Sequence, residues 1–409
     1  MWAPMSWSRI VRYTSEALRL VMQGRFGVLR EKLSRTTLAS GPKVSADELA
    51  SLLAELGSVV CIVDGAQGGG AAAAARRSAS EWRAQGLGTA ELGCDAVGKL
   101  TVTVTSPSES QVCTGRLTDW PALPDAVTHI EIHSLAGFTE PEQVASWLAA
   151  AAQGDVEVSI HWYDHYFICP TRHLLGADDT YCGLPDVSAC AQCLPSNRHC
   201  LDAPLRIADV SVWRDQWGAV MKNASEIRVF SESSAALIRQ VWPALASAVN
   251  CQPHDMSHIA LAQLAPAPDA ELRIGVIGRI GAHKGASEVA ALARHIKEQQ
   301  QPAKITVFGT LEERATPSVV TETGPFAEGE LADLCASKGI NVFWLPSVWP
   351  ETFSFVLHEM KAMGLPVLAY DVGAQADTLR REGGGRVLPL GASAASILSA
   401  LQDLKEHAA

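Results

Sequence analysis

Two carboxylates stand eight residues apart in LPSVWPETFSFVLHEMKAMGLPVLAYD, residues 345–371: Glu351 and Glu359. Pro346 and Pro350 break the chain before a helix that Thr352 or Ser354 can cap, with Phe355, Leu357, Met360 and Met363 as its apolar positions. The spacing sets Glu351 at the helix mouth and Glu359 about two turns inside, near one face. Free N–H groups at that mouth suit an anion. Alone, such a pair is more often a helix-terminal charge plus a solvated side chain. A second constellation stands upstream, in Gly278-Arg279-Ile280-Gly281-Ala282-His283-Lys284-Gly285. There a strand ends, glycines turn the chain, and two cations five apart flank a helix start. That arrangement suits a diphosphate better than a solvated loop.

Three further groups could do chemistry. Residues 59–63 read as a buried strand, followed by Asp64, Gly65 and the run Gly68-Gly69-Gly70, then an alanine-rich helix. Strand, glycine loop and helix is how α/β folds present amides to a phosphate, although such loops need glycine for geometry anyway. Residues 160–170, IHWYDHYFICP, carry His161, Tyr163, Asp164 and His165 just past a strand, with His133 at the end of another. Cys182, Cys190, Cys193 and Cys200 lie within nineteen residues, one pair as C-x-x-C, with His173 and His199 nearby. Four thiolates so spaced could close a structural zinc site; reduced free thiols or a redox pair are the alternatives.

The stretch around Glu351 and Glu359 resembles the signature of retaining, GT-B-fold glycosyltransferases of the family 4 type, the glycosyl transferases group 1. Their motif PS-x-x-PE-x-F, seven residues between glutamates, then G-x-PV, is matched here by PSVWPETF, Glu359 and GLPV. The resemblance covers residues 55–395 and implies a donor-sugar contact for Glu351 and a ribose contact for Glu359. It implies neutralisation of the nucleotide diphosphate by Arg279 and Lys284, with Gly278, Ser354 and Phe355 beside them, and a phosphate-bordering turn at Gly68, Gly69 and Gly70. Aligned on Cys169-Pro170, the family's histidine position holds Tyr163, while Asp164 keeps its place. Either His165 substitutes through a shifted loop, or Tyr163 takes the donor contact, or the histidine is structural. Alanines follow Gly70 where the family often has threonine and an acidic residue. Related bacterial enzymes carry similar Cys-Gly…Cys-x-x-Cys loops, which favours a structural role for the four cysteines.

The elements that must position these residues alternate. Strands are expected at 59–63, 100–105, 128–133, 157–161 and 226–231, with helices at 140–152, 213–224 and from Ser231 to about 241. A second series runs through strands at 272–277, 304–308, 341–345, 367–370 and 387–390 to a terminal helix at 393–407. Such alternation predicts doubly wound parallel sheets with sites at the strands' C-terminal ends. The expected division is an appendage at 1–45, an N-terminal Rossmann-like acceptor domain at 46–242, a proline-bearing linker at 243–270, and a C-terminal nucleotide-sugar domain at 271–409. The resemblance adds the GT-B arrangement, two such domains facing across a cleft.

Composition narrows the classes. A chain of 409 residues holds two ordinary domains, and 47% hydrophobic with 19% charged residues describes a globular protein without disordered bulk. A net charge of −11 argues against nucleic acid as partner. No run is long enough to span a bilayer, and no signal peptide shows, so the cytoplasm is expected. The basic segment 8–35 reads as a helix that lies on an anionic membrane surface or links to another module. The resemblance tips that balance to a linker and implies fusion to further glycosyltransferase modules, with peripheral inner-membrane contact as the rival. It also implies a UDP- or GDP-sugar donor, a glycan or lipid-linked acceptor, no metal needed for catalysis, and a role in bacterial surface polysaccharide such as O-antigen, lipopolysaccharide or capsule. The rival functions are a silent module that binds a sugar nucleotide or a protein, and sugar-nucleotide epimerisation.

Overall fold

The computed structural model describes residues 46–66, 69–94, 100–105, 110–114, 125–138, 141–152, 154–200, 209–257, 259, 262–264, 271–312, 317–327 and 329–407. The basic segment 8–35, the linker's 258, 260–261 and 265–270, and Gly68 lie outside these. The first elements are α1 (Ala46–Glu55), β1 (Val59–Asp64), α2 (Gly69–Ala84), β2 (Gly88–Cys94), β3 (Leu100–Thr105), β4 (Ser110–Thr114), β5 (Val127–Ser134), α3 (Pro141–Ala151) and β6 (Glu157–His161). They continue through α4 (Val187–Cys193), α5 (Val210–Met221), β7 (Glu226–Val229), α6 (Glu232–Val241) and β8 (Val249–Cys251). Eight strands form one sheet in the order β4-β3-β2-β1-β5-β6-β7-β8. From β2 to β7 through β1, β5 and β6 the pairing is parallel, as the alternating pattern requires. The β2-β3 and β3-β4 pairs are antiparallel, an edge that the expectation of a wholly parallel sheet did not include.

Strand β1 is buried along its first five residues, a β-branched run fit for a two-sided interior. Val60 and Ile62 pack against Ala75 and Ala79 of α2, whose small side chains let helix and strand approach. An aromatic layer lies beyond β6. Trp162 stacks on Phe167 at 5.2 Å, and the Trp217 ring meets Phe167 edge-on at 5.3 Å. Trp213 meets Tyr166 edge-on and donates from Nε1 to the Tyr166 carbonyl at 2.8 Å.

The second sheet uses β9 (Leu272–Ile280), β10 (Ala303–Leu311), β11 (Val320–Glu322), β12 (Val342–Leu345), β13 (Val367–Tyr370) and β14 (Gly385–Leu388). Its order is β11-β10-β9-β12-β13-β14, every pair parallel. The helices are α7 (Ala286–Glu298), α8 (Leu331–Ser337), α9 (Phe355–Ala362), α10 (Gly373–Glu382) and α11 (Ala394–His407). Alternation along the strands divides two cores. Val342 and Trp344, with Leu368 and Tyr370, face the core shared with α7 and α11. Phe343 and Leu345, with Val367 and Ala369, face the core shared with α8 and α9. Both faces are covered, so each strand reads as a continuous apolar run.

Two compact units result, and they interleave along the chain. The first runs to Arg172 and includes Asp186–Arg228 and Val241–Asn250; the second takes His173–Pro185, Val229–Gln240 and Cys251–Ala409. Among the described residues, no helix is long and apolar enough to cross a membrane. Trp217 is fully buried in the first unit's aromatic layer. Trp217→Ala should cost about 3–5 kcal/mol. Denaturant unfolding followed by circular dichroism would show the loss.

Candidate functional site

In the second unit the buried-charge chemistry centres on Glu351. It is 2% exposed, and its Oε1 takes Lys284 Nζ at 3.2 Å and a short hydrogen bond from Ser347 Oγ. Three loops deliver these groups. Lys284 ends the short 3₁₀ turn after β9, Ser347 follows β12, and Glu351 precedes α9. The Val348 N–H donates to the His283 carbonyl at 3.1 Å, tying the first loop to the second. The Ala374 N–H donates to the Glu351 carbonyl, and Gln375 Nε2, fully buried, donates to the Trp349 carbonyl. Two glycines permit this approach. Gly285 has φ 78°, and a Cβ there would fall 2.0 Å from the Pro346 carbonyl oxygen; at Gly373, φ 64°, it would fall 2.5 Å from the Glu351 nitrogen.

Helix α9 opens at Phe355, with Ser354 as its N-cap in extended conformation. The Ser354 hydroxyl makes no cap hydrogen bond; it is buried, and among the described residues it finds no partner. An N-cap serine ordinarily uses that oxygen on the helix's own amides. Here the first-turn amides and the hydroxyl stand together, three residues along the chain from Glu351. Glu359 lies half-buried one turn further on. Arg279 is not brought to Lys284. Its Nε and Nη2 bind Glu312 Oε1 at 3.0 and 2.9 Å, and its side chain is mostly exposed. Parallel pairing of β9 with β10 places the two loops side by side and accounts for that partnership.

The first unit gathers a polar layer at the C-terminal ends of β1, β5 and β6. Along β5, His129, Glu131 and His133 share one face by alternation. Glu131 accepts from Trp82 Nε1 at 3.0 Å and from Ser78 Oγ, and lies 3.3 Å from His133 Nε2. Burial raises its carboxyl, but the bonds from His133 and Ser78 outweigh burial and bring it to about 2. His133 packs against His161 at 4.6 Å and stacks on Tyr163 at 5.6 Å. Burial first, then the His133 charge, lowers His161 to about 3, so that ring is neutral near pH 7. Burial also raises the Tyr163 phenol above its usual range.

Asp164 accepts from Ser134 Oγ at 3.1 Å and from the Tyr166 N–H at 3.0 Å; burial raises its carboxyl. His165 goes elsewhere. It is fully buried, and its Nδ1 accepts from Trp162 Nε1 at 3.1 Å, inside the aromatic layer. Tyr163 rather than His165 therefore stands in the polar layer, with His133 and His161 as companions and with Glu131, which the alternating HIEIH pattern of 129–133 could have revealed. Gly69 and Gly70 form the first turn of α2.

Nothing in the placement of the four cysteines supports the expected zinc site. Among the described residues, no group of three or more His, Cys, Asp or Glu is placed to hold a metal ion. Cys182 belongs to the second unit, whereas Cys190, Cys193 and Cys200 belong to the first. Cys190 packs with Leu194 and Val210, beside Cys169 and Cys200, and burial raises its thiol. Asn197 Nδ2 donates to Cys193 Sγ at 3.1 Å.

Residues 263–408 match the family described as glycosyl transferases group 1. The second unit carries that family's sequence pattern. Comparison with curated protein sequences gives no match. Among solved structures, the chain is similar to Alr3699/HepE of Anabaena in complex with UDP and glucose. The two share 12% identity and a TM-score of 0.52, over 85% of this chain and 89% of that one. A glycosyltransferase from Rickettsia africae ESF-5 is similar at 11% identity and a TM-score of 0.50, over 86% and 92%. The fold is that of the GT-B glycosyltransferases: α/β, with two Rossmann-like units.

Asp64, at the end of β1, offers a test of the polar layer. Burial raises its carboxyl to about 7; the Ala66 N–H and Arg76 oppose this, and the Asp164 charge adds to it. The unfolded chain ionises near 3.9, so the folded state keeps the proton over the window from about 4 to 7. The resulting cost is absent below that window and grows as pH rises through it. His161 acts in the opposite sense, because its lowered pKa costs stability as pH falls below about 6.5. The difference between variants isolates Asp64: Asp64→Asn should melt with wild type at pH 4 and above it at pH 7. Differential scanning calorimetry at both values measures this.

Proposed function

We propose that the protein is a retaining glycosyltransferase that moves a sugar from a nucleotide diphosphate sugar to a glycan or lipid-linked acceptor. The observation that carries the reading is the Lys284–Glu351–Ser347 group beside the open amides and unbonded hydroxyl of Ser354 at the start of α9. A leaving diphosphate needs compensating positive charge; Lys284 and the helix N-terminus supply it without reorganisation. Glu351, its second oxygen not committed to Lys284 or Ser347, is a fixed acceptor for sugar hydroxyls. Glu359, further along the same helix, takes the ribose. Arg279 adds charge to the diphosphate by exchanging Glu312 for phosphate oxygens.

The first unit takes the acceptor. Its polar layer offers the neutral imidazole of His161, the phenol of Tyr163 and the carboxyl groups of Asp64 and Asp164. In the reaction, the bond from the sugar's anomeric carbon to the diphosphate oxygen breaks. The acceptor oxygen bonds to the same face, and its proton leaves with the phosphate. Retention of configuration and a role in surface-polysaccharide assembly rest on the signature around Glu351 and Glu359. The UDP and glucose found in Alr3699/HepE make UDP the first ligand to try.

Isothermal titration of the full chain with UDP and with GDP tests the donor site. One diphosphate should bind. Lys284→Ala should weaken it about 10- to 100-fold, the worth of one charged hydrogen bond, and Glu359→Ala by a smaller factor. A folded chain that binds neither nucleotide would sink the transferase reading.

A further inference from the structure

We infer that His173 is a positioning residue for the donor site, carried on a strap that leaves the first unit's chain to complete the second. This rests on the reading of Lys284 and Glu351 as donor-site groups. The strap is His173–Pro185, with first-unit chain on both sides of it. Leu175, 1% exposed, belongs to the second unit's core, and Tyr181 packs against the same core. A bridge between Leu175 and Tyr181 closes the strap on itself, with the Cys182 N–H donating to the Leu174 carbonyl at 2.9 Å. Arg172, Leu174, Asp179 and Leu184 have positive φ, four of the five non-glycine residues that do so among the described residues. Such backbone persists only where surroundings impose it. Here the buried Leu175 imposes it.

What the strap delivers is an imidazole. The His173 ring lies 4.0 Å from the His283 ring at an interplanar angle of 1°, and 4.6 Å from Trp349, edge to face. His283 and Trp349 also meet edge to face, at 5.9 Å. His283 immediately precedes Lys284, and Trp349 stands two residues before Glu351. The three rings therefore join the two loops that supply the cation and the carboxylate. One backbone bond also joins those loops, from the Val348 N–H to the His283 carbonyl. A Lys284–Glu351 contact of 3.2 Å has little tolerance: a shift of about 1 Å takes it beyond hydrogen-bond reach. Removing the His173 ring leaves His283 without its stack and Trp349 without one of its faces, and frees the loops to separate.

Hydrogen exchange of the full chain, read by mass spectrometry, tests this together with UDP titration. In His173→Ala, peptides covering 281–285 and 346–352 should exchange faster while those covering Val210–Met221 remain as in wild type. UDP should bind about three- to tenfold more weakly, the worth of an aromatic pair. His173→Gln, which keeps bulk without the ring's stack, should behave like His173→Ala, and it stands in should the alanine variant unfold. His173→Phe should restore both protection and affinity. Unchanged exchange in the alanine or glutamine variant, or no restoration by phenylalanine, would overturn the inference. A wild-type chain that binds no UDP or GDP would instead remove the donor reading, and the exchange arm would still decide whether His173 clamps the loops.

Discussion

The second unit is arranged around the cost of burying one carboxylate. Glu351 is almost removed from water, and an isolated charge there would destabilise the fold by several kcal/mol. Lys284 and Ser347 offset that cost, and each comes from a different loop at the C-terminal ends of the strands. The constraint propagates outward. Lysine can reach only if the loop after β9 passes close to Pro346, which requires glycine at 285. The Glu351 backbone can sit where it does only if α10 starts on a residue with no side chain, which requires Gly373. A pair held this way is already in its working geometry before a ligand arrives. That is the preorganisation electrostatic catalysis needs.

The first unit solves a related problem differently. Its polar layer pairs one firmly ionised carboxylate, Glu131, with groups that burial shifts toward their neutral forms: His161, the Tyr163 phenol and the carboxyl groups of Asp64 and Asp164. One charge supported by Trp82, Ser78 and His133 costs less than several unsupported ones. The layer therefore spends little of its stability on unsupported charge.

Much of this was legible in the chain, for reasons that differ by element. The strands at Val59–Asp64, Glu157–His161 and Val367–Tyr370 are β-branched or aromatic runs bounded by breakers, and the fold gives them as read. Strand β2, GTAELGC, hides behind two glycines and an alanine, and is held by its register with β1 rather than by propensity. Helix α10, GAQADTLRRE, is too polar to show an apolar stripe, although its Ala374, Gln375, Ala376 and Leu379 are buried. Lys284 and Glu351 could be read because glycine and proline around them mark loops at strand ends. The Arg279–Glu312 pair could not, since thirty-three residues separate the partners and only the β9–β10 register brings them together. His165 left three readings open for the opposite reason. Its neighbours place it in a motif, but Trp162 claims its ring for the interior.

The strap shows how the second unit draws on chain far from its main segment. Local propensity gives residues 173–185 no element of their own beyond one bridge, and four residues between 172 and 184 sit in a conformation that non-glycine side chains avoid. Each left-handed residue costs about 1–2 kcal/mol. Against that total stand a buried Leu175, the Tyr181 contact and the three-ring packing of His173, His283 and Trp349. A segment without these contacts could relax to ordinary backbone at no loss. Its persistence in strained geometry follows if the second unit's core and signature loops hold it, and then the strain is one more force pressing the Lys284 and Glu351 loops into a single arrangement.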